Sequence, residues 1–343
     1  MPIRFPAPLR PGDLVGITSP SSGVAPDERA RLEFAVEHVR SRGFEVLVGE
    51  CMDGSTHASA PAHERARELS SFLTDPRIRA IVPPWGGETA IDILSLLEWD
   101  AIDKATPTWI VGYSDISTLI TPLTLRTGIA TVHGNNLMDT PYRVPDGLVG
   151  WLDIVTLDRG AEFEQVPTGT YRATGHDSYR RTPEITEMTL NGVGSWVRLD
   201  DAPGIVDVGG RLVGGCIDTL CNVAGSPFGN TAEFSRLHAP EGLIIYLEAS
   251  DEEALSICRY LHGMRLAGFF DRANAILVGR TRAPDSTSMT QHEAVRDALG
   301  SLGIPIIGEV DCGHVQPFMP IVNGALGRVR FGGGQASLVQ TLA

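Results

Sequence analysis

The chain lacks the patterns that mark several large classes of protein. Its five cysteines, Cys51, Cys216, Cys221, Cys258 and Cys312, are odd in number and form no Cys-x-x-Cys pair. That spacing argues against a zinc site and a disulfide framework and suits reduced thiols. The nine histidines are dispersed, with no His-Glu-x-x-His. The glycine pairs 209–210 and 214–215 lack the Gly-x-Gly-x-x-Gly spacing that cradles a dinucleotide. No apolar run reaches the roughly 18 residues of a membrane helix. Met1 to Arg10 holds three prolines and no apolar core of a signal peptide, so a cytoplasmic protein without a membrane partner is expected. Positive charge is scarce, at 28 Lys and Arg against 42 Asp and Glu, a net of −14. Nucleic-acid binding rests on clustered basic residues, so no nucleic-acid partner is expected.

What remains is an ordinary globular composition, 42% hydrophobic and 20% charged over 343 residues, long enough for two domains at about 150 residues each. The first part alternates strands with helices. Strands are expected at Asp13–Thr18, Phe44–Val48, Ile78–Val82, into Ser114, and at Ile129–Val132. Helices are expected at about Pro26–Arg42, Ala62–Leu73, Thr89–Leu97 and Ile116–Leu125. Such alternation means βαβ units and a parallel sheet, with ligands at the C-terminal strand ends. From about Asp139 to Gly194 the periodicity dissolves into Pro, Gly, Thr and charged residues, which reads as a linker and a long loop. Strands resume at Gly204–Val208, Leu212–Gly215, Leu243–Leu247, Ala275–Val278 and Pro305–Gly308, with helices at about Asp251–Ala267 and Thr290–Leu302. The expected partition is 1–140, an α/β domain; 141–200, a linker and substrate loop; and 201–343, a second α/β domain.

Three strand ends could carry chemistry. Trp109-Ile110-Val111-Gly112 is an apolar strand that stops at Tyr113-Ser114-Asp115 before a helix-like run. A serine at such a corner exposes its hydroxyl beside a helix N-terminus, as a nucleophile needs, or it simply caps the helix. Leu243–Leu247 ends at Glu248, which could orient a base or open the next helix as a first-turn acid. His314 follows the strand at Ile306 and could be that base or an idle loop histidine. Gly86-Gly87 and the Asp115 N–H could donate to an oxyanion, or the glycines could serve only a turn after Pro83-Pro84.

Taken together, Pro84-Trp85-Gly86-Gly87, Gly112-Tyr113-Ser114-Asp115, Gly214-Gly215, Leu247-Glu248-Ala249-Ser250 and Asp311-Cys312-Gly313-His314 resemble the S66 serine peptidases. That family comprises the LD-carboxypeptidases and the microcin C immunity proteins. Leu9 to Ser22 also resembles the family's start. The resemblance implies a flavodoxin-like parallel-sheet N-terminal domain, a smaller β-containing C-terminal domain, and an active site between them. It implies Ser114 as nucleophile, His314 as general base, Glu248 as the group that orients it, and the N–H groups of Gly87 and Asp115 as oxyanion donors. It implies no metal or cofactor, a homodimer, and cleavage of an amide next to a C-terminal residue. Trp85, Gly86, Glu88 and Cys216 are the expected substrate contacts. The long segment from Ala161 to Trp196 favours the immunity-like branch and a peptidyl-nucleotide substrate; the alternative is a muropeptide LD-carboxypeptidase. An idle binding protein on the same scaffold is the reading from another class. In that long segment Tyr171, His176, Tyr179 and Trp196 are the aromatic candidates, and Trp196 reads as scaffold. Two positions depart from the family pattern: Cys216 stands where an asparagine is usual, and Glu252 where the immunity proteins carry a lysine.

Overall fold

The computed structural model describes all 343 residues. Its first sheet starts with β1 (Leu14–Ile17), followed by helix α1 (Arg29–Ser41), β2 (Glu45–Val48), α2 (Ala62–Thr74), β3 (Ile78–Ile81), α3 (Trp99–Lys104), β4 (Trp109–Gly112), α4 (Ser117–Thr127) and β5 (Thr131–His133). The five strands run parallel in the order 2-1-3-4-5, the flavodoxin-like winding. Val15, Ile17, Ala80, Ile81, Val111 and Val132 are buried, as a sheet covered on both faces by helices requires. The expected helix at Thr89–Leu97 is instead a 3-10 turn over Ala90–Leu96.

The segment expected to be a structureless linker is not one throughout. After a short helix α5 (Trp151–Ile154) come β6 (Glu162–Gln165), a small hairpin of β7 (Thr170–Tyr171) with β8 (Gly192–Val193), and β9 (Val197–Arg198). β6 and β9 form the two edges of the second sheet. That pairing needs partners more than a hundred residues away, so local periodicity cannot report it.

The second sheet is built on β10 (Val206–Cys216), β11 (Leu243–Glu248), β12 (Ala273–Gly279) and β13 (Ile306–Val310), which run parallel. Helices α6 (Ile217–Val223), α7 (Thr231–His238), α8 (Ala254–Leu266) and α9 (Gln291–Leu299) connect them. Gly209-Gly210 does not break β10 into two strands, as the sequence suggested. A Cβ at Gly210 would stand 2.9 Å from the Leu243 carbonyl carbon, so glycine serves close strand approach there. The chain then returns to the first sheet as β14 (Ile321–Asn323), antiparallel to β5, before closing the second sheet with β15 (Leu326–Gly332) and β16 (Gln335–Thr341). With eight strands against six, the second sheet carries more strands than the first.

The two sheets are joined by buried polar contacts. Asn323 Oδ1 accepts from Tyr246 Oη at 2.8 Å and from the Gly214 N–H at 3.1 Å, while its Nδ2 donates to Thr131 Oγ1 at 3.1 Å. Ser117 Oγ accepts from the Cys216 N–H, and Thr121 Oγ1 donates to the Gly214 carbonyl. Each is a satisfied buried group whose loss would leave partners unpaired. They bring the C-terminal ends of β4 and β11 face to face.

Candidate active site

β4 ends at Gly112, and the chain turns sharply so that Ser114 has φ +61°, a left-handed conformation that a residue with a Cβ adopts only at a cost. The corner then enters a 3-10 turn, Ser114–Ile116, and α4. Asp115, next in the chain, holds the corner. Its Oδ2 accepts from Ser21 Oγ at 2.5 Å and from the Ala90 N–H at 2.8 Å, and its Oδ1 from Thr118 Oγ1 at 3.2 Å. The side chain thus ties the loops after β1 and β3 to the serine corner, a duty separate from its backbone N–H.

Gly86 and Gly87 stand beside that corner. A Cβ at Gly86 would lie 2.8 Å from Ser114 Cβ, 3.0 Å from Ser114 Oγ and 3.2 Å from the Asp115 nitrogen. Glycine alone leaves that space open. Gly87 has φ +137°, and a Cβ there would strike the hydroxyls of Ser21 and Ser22, each at 2.4 Å. The Gly87 N–H has no hydrogen-bond partner within the chain.

Glu248, fully buried at the end of β11, and His314, in the loop after β13, meet Ser114 across the seam between the sheets. His314 Nδ1 lies 2.7 Å from Glu248 Oε2, and its Nε2 lies 3.0 Å from Ser114 Oγ. The order serine, imidazole, carboxylate is that of an activated nucleophile, in which the carboxylate fixes the tautomer that leaves Nε2 free to take the hydroxyl proton. Burial pushes the Glu248 carboxyl up, but His314 and the nearby His133 outweigh it and hold it far below the usual carboxylate range. For His314 burial favours the neutral ring, and the Glu248 charge overcomes it, raising the imidazole above its ordinary value.

Neighbouring residues hold this geometry. Gly313 has φ +102°, and a Cβ there would come within 2.5 Å of Glu248 Oε2, so glycine lets the carboxylate reach His314. The loop after β13 is fixed by Asp311, which accepts from Arg280 Nη1 and Trp196 Nε1, both at 2.9 Å. Trp196 is buried and belongs to this scaffold. Tyr171 lies under the Arg280 guanidinium, 4.4 Å away.

Of the expected substrate contacts, Glu88 and Cys216 line the cleft in front of Ser114, together with Gly87, Asp115, Asp218, Thr219 and Ser250 to Glu252, and Gly86 does not. Trp85 does not line it. Its ring stacks at 5.8 Å on Tyr179, which also lies against the buried Arg31 guanidinium at 4.2 Å. Arg31 also donates to the carbonyls of Met138, Pro183 and Ile185, so the stretch around Tyr179 is docked onto the first domain. Cys216 is buried and its thiol donates to Asp218 Oδ2 at 3.3 Å; burial, with Glu248 and Asp218 nearby, pushes the thiol well above its ordinary value, so it is not a thiolate.

Sequence reasoning missed His133. It is fully buried at the C-terminal end of β5, with Nε2 3.7 Å from Glu248 Oε1, and neither ring nitrogen has a hydrogen-bond partner. Glu248 Oε1 is likewise without one. The signal was its position: β5 ends on the same sheet edge as the serine corner.

The profile of the LD-carboxypeptidase N-terminal domain matches residues 15–134, and that of the C-terminal domain matches residues 209–329. The chain belongs to the LD-carboxypeptidase family. Relatives in this family include the microcin C7 self-immunity protein MccF of Escherichia coli, 26% identical over 346 residues, covering 97% of this chain and 95% of that one. They also include the probable murein peptide carboxypeptidase of Bacillus subtilis, 25% identical over 325 residues, covering 93% and 89%. Among solved structures, MccF in complex with glutamyl sulfamoyl guanosine superposes with a TM-score of 0.82 at 21% identity over 98% of both chains. An MccF-like protein from Bacillus anthracis gives 0.79 at 22%, again over 98% of both. At these identities the superpositions establish the shared fold. Family membership makes the protein a hydrolase of the carboxypeptidase class, and no helix is long and apolar enough to cross a membrane.

Proposed function

We propose that the protein is a serine carboxypeptidase that hydrolyses an amide at the C-terminal residue of a peptide or peptidyl-nucleotide through an acyl-enzyme. In this reading Ser114 attacks the carbonyl, His314 takes its proton at Nε2 and returns it to the leaving amine, and Glu248 orients the imidazole and stabilises its charged form. The Gly87 and Asp115 N–H groups receive the oxyanion. Water, activated by His314, then releases the acyl group. The observation that carries the reading is the Ser114–His314–Glu248 relay, at 3.0 and 2.7 Å between residues far apart in the chain.

Support for a peptidyl-nucleotide substrate comes from the MccF relatives, whose structures are described in complex with glutamyl sulfamoyl guanosine and aspartyl sulfamoyl adenosine. A homodimer in the cytoplasm belongs to the same proposal. The test is a panel of L,D-linked tetrapeptide stems and aspartyl-adenylate mimics, with product release scored by mass spectrometry. Ser114→Ala should abolish release while leaving the fold intact, and a serine-reactive phosphonate should label Ser114 in the parent protein. A folded protein that resists the phosphonate would instead be an idle binder.

A further inference from the structure

The long segment between the two sheets meets the serine corner through one side chain. Tyr179 Oη donates to Asp139 Oδ1 at 2.5 Å, and Oδ2 of the same carboxylate accepts from Tyr113 Oη at 3.2 Å. Asp139 is buried. A buried carboxylate needs donors, and charge-assisted bonds are the strong ones, so the carboxylate and the two hydroxyls fix one another. Tyr113 stands between Gly112 and Ser114. Its ring packs edge to face against His314, with centroids 5.1 Å apart, and against Phe318 at 4.9 Å.

The face of the Tyr179 ring makes a second contact. The Trp85 ring stacked on it at 5.8 Å belongs to the residue just before Gly86-Gly87. Arg31 holds the ring from the first domain and donates to the Pro183 and Ile185 carbonyls just beyond Tyr179. Two arms therefore leave Tyr179. The hydroxyl arm ends at the nucleophile and its base, and the ring arm ends at the turn that carries the Gly87 N–H. Tyr179 itself does not line the cleft in front of Ser114. We infer that Tyr179 is a positioning residue: its hydroxyl, through Asp139 and Tyr113, sets the serine corner and the His314 ring, and its face, through Trp85, sets the Gly86-Gly87 turn. The inference rests on the serine-hydrolase reading above and gives the long segment a part in the chemical step.

The experiment labels the full-length protein with a serine-reactive phosphonate over a range of concentrations. This separates the limiting rate, kinact, from the half-saturating concentration, KI, and rates are taken per site labelled at completion. Misplacing a catalytic group by about 1 Å costs on the order of 10²-fold in rate. Tyr179→Phe keeps the ring and removes the hydroxyl, so kinact should fall about tenfold with KI unchanged. Trp85→Leu cuts only the ring arm and should also cost about tenfold, while Tyr179→Leu cuts both and should cost on the order of 10²-fold. The control is Asn191→Ala in the same segment. The Asn191 side chain bonds only to Ala173 and Thr174, so its loss should loosen the segment and leave kinact at the parent value. Amide exchange read by mass spectrometry should be severalfold faster over 85–88 and 113–116 in Tyr179→Leu, and unchanged there in Asn191→Ala. A Tyr179→Phe protein with the parent kinact, or a Tyr179→Leu protein no slower than Asn191→Ala, would overturn the inference and leave the hydrolase reading intact. If the parent protein itself resists the phosphonate, the hydrolase reading fails and exchange decides alone. Faster exchange at both turns in Tyr179→Leu would then sustain Tyr179 as the residue that holds them, and parent rates there would sink the inference as well.

Discussion

Replacing Glu248 with glutamine keeps the shape of the side chain and removes its charge. The carboxylate oxygen and His314 Nδ1 are 2.7 Å apart, which puts the charge centres about 4 Å apart. Two unit charges at that separation interact by about 4 kcal/mol at an effective dielectric of about 20 and by about 1 kcal/mol in water. The His314 side chain is 24% exposed and Glu248 is fully buried, so roughly 1.5–3 kcal/mol is a reasonable net. At about 1.4 kcal/mol per pH unit, the acid limb of the kcat/KM profile should fall by roughly 1 to 2 units in Glu248→Gln. The sign is fixed by the direction of the shift. His314 is raised above 6.5 in the folded protein, activity requires the neutral ring, and removing the negative neighbour makes the ring lose its proton at lower pH. The plateau should drop as well, on the order of 10³-fold or more, because the amide no longer enforces the productive tautomer. The second-order rate of phosphonate labelling at Ser114, measured from pH 4.5 to 9, reads both quantities without knowledge of the natural substrate. A Glu248→Gln protein that retained the parent fold and an unmoved acid limb would refute the relay.

Further outcomes follow from the same geometry. Gly86→Ala puts a methyl 2.8 Å from Ser114 Cβ and within 3.2 Å of Ser114 Oγ and the Asp115 nitrogen; the serine corner must shift to admit it, and labelling should slow by on the order of 10²-fold, as loss of an oxyanion donor does. Gly313→Ala combines a φ of +102° with a contact at 2.5 Å to Glu248 Oε2; its unfolding free energy in denaturant should fall by about 2 kcal/mol or more, and activity should be lost. His133→Leu removes one of the two rings that hold the buried Glu248 carboxyl below its usual range, so stability in denaturant at neutral pH should fall by about 1 kcal/mol and turnover by about tenfold. A lower stability with unchanged turnover would show that His133 serves packing alone. Asn323→Leu leaves Tyr246 Oη, the Gly214 N–H and Thr131 Oγ1 short of partners; it should lose about 2–4 kcal/mol of stability and loosen the seam, seen as faster amide exchange at β14.

Local pattern was enough for the parallel five-stranded core, since alternating apolar strands and amphipathic helices report burial within one element. It also marked Ser114, Glu248 and His314, because each stands where an apolar run stops at a sheet edge. Tertiary structure decided the rest. β14 lies in the first sheet although it follows the second in the chain, β6 pairs with β16 from what reads as linker, and Gly209-Gly210 continues a strand; all three depend on partners remote in sequence. The same holds at the site. His133, one residue past an expected strand, has nothing to single it out until β11 brings Glu248 beside it, and Asp115 offers only its backbone N–H until Ser21 and the Ala90 N–H converge on its carboxylate. Glu88, Asp218, Asp251 and Glu252 are dispersed acids in a chain already rich in them. Only the docking of the two sheets gathers them around one serine, and it does so without a cation among them, because charge sign at a cleft is a sum over loops that no single stretch of sequence contains.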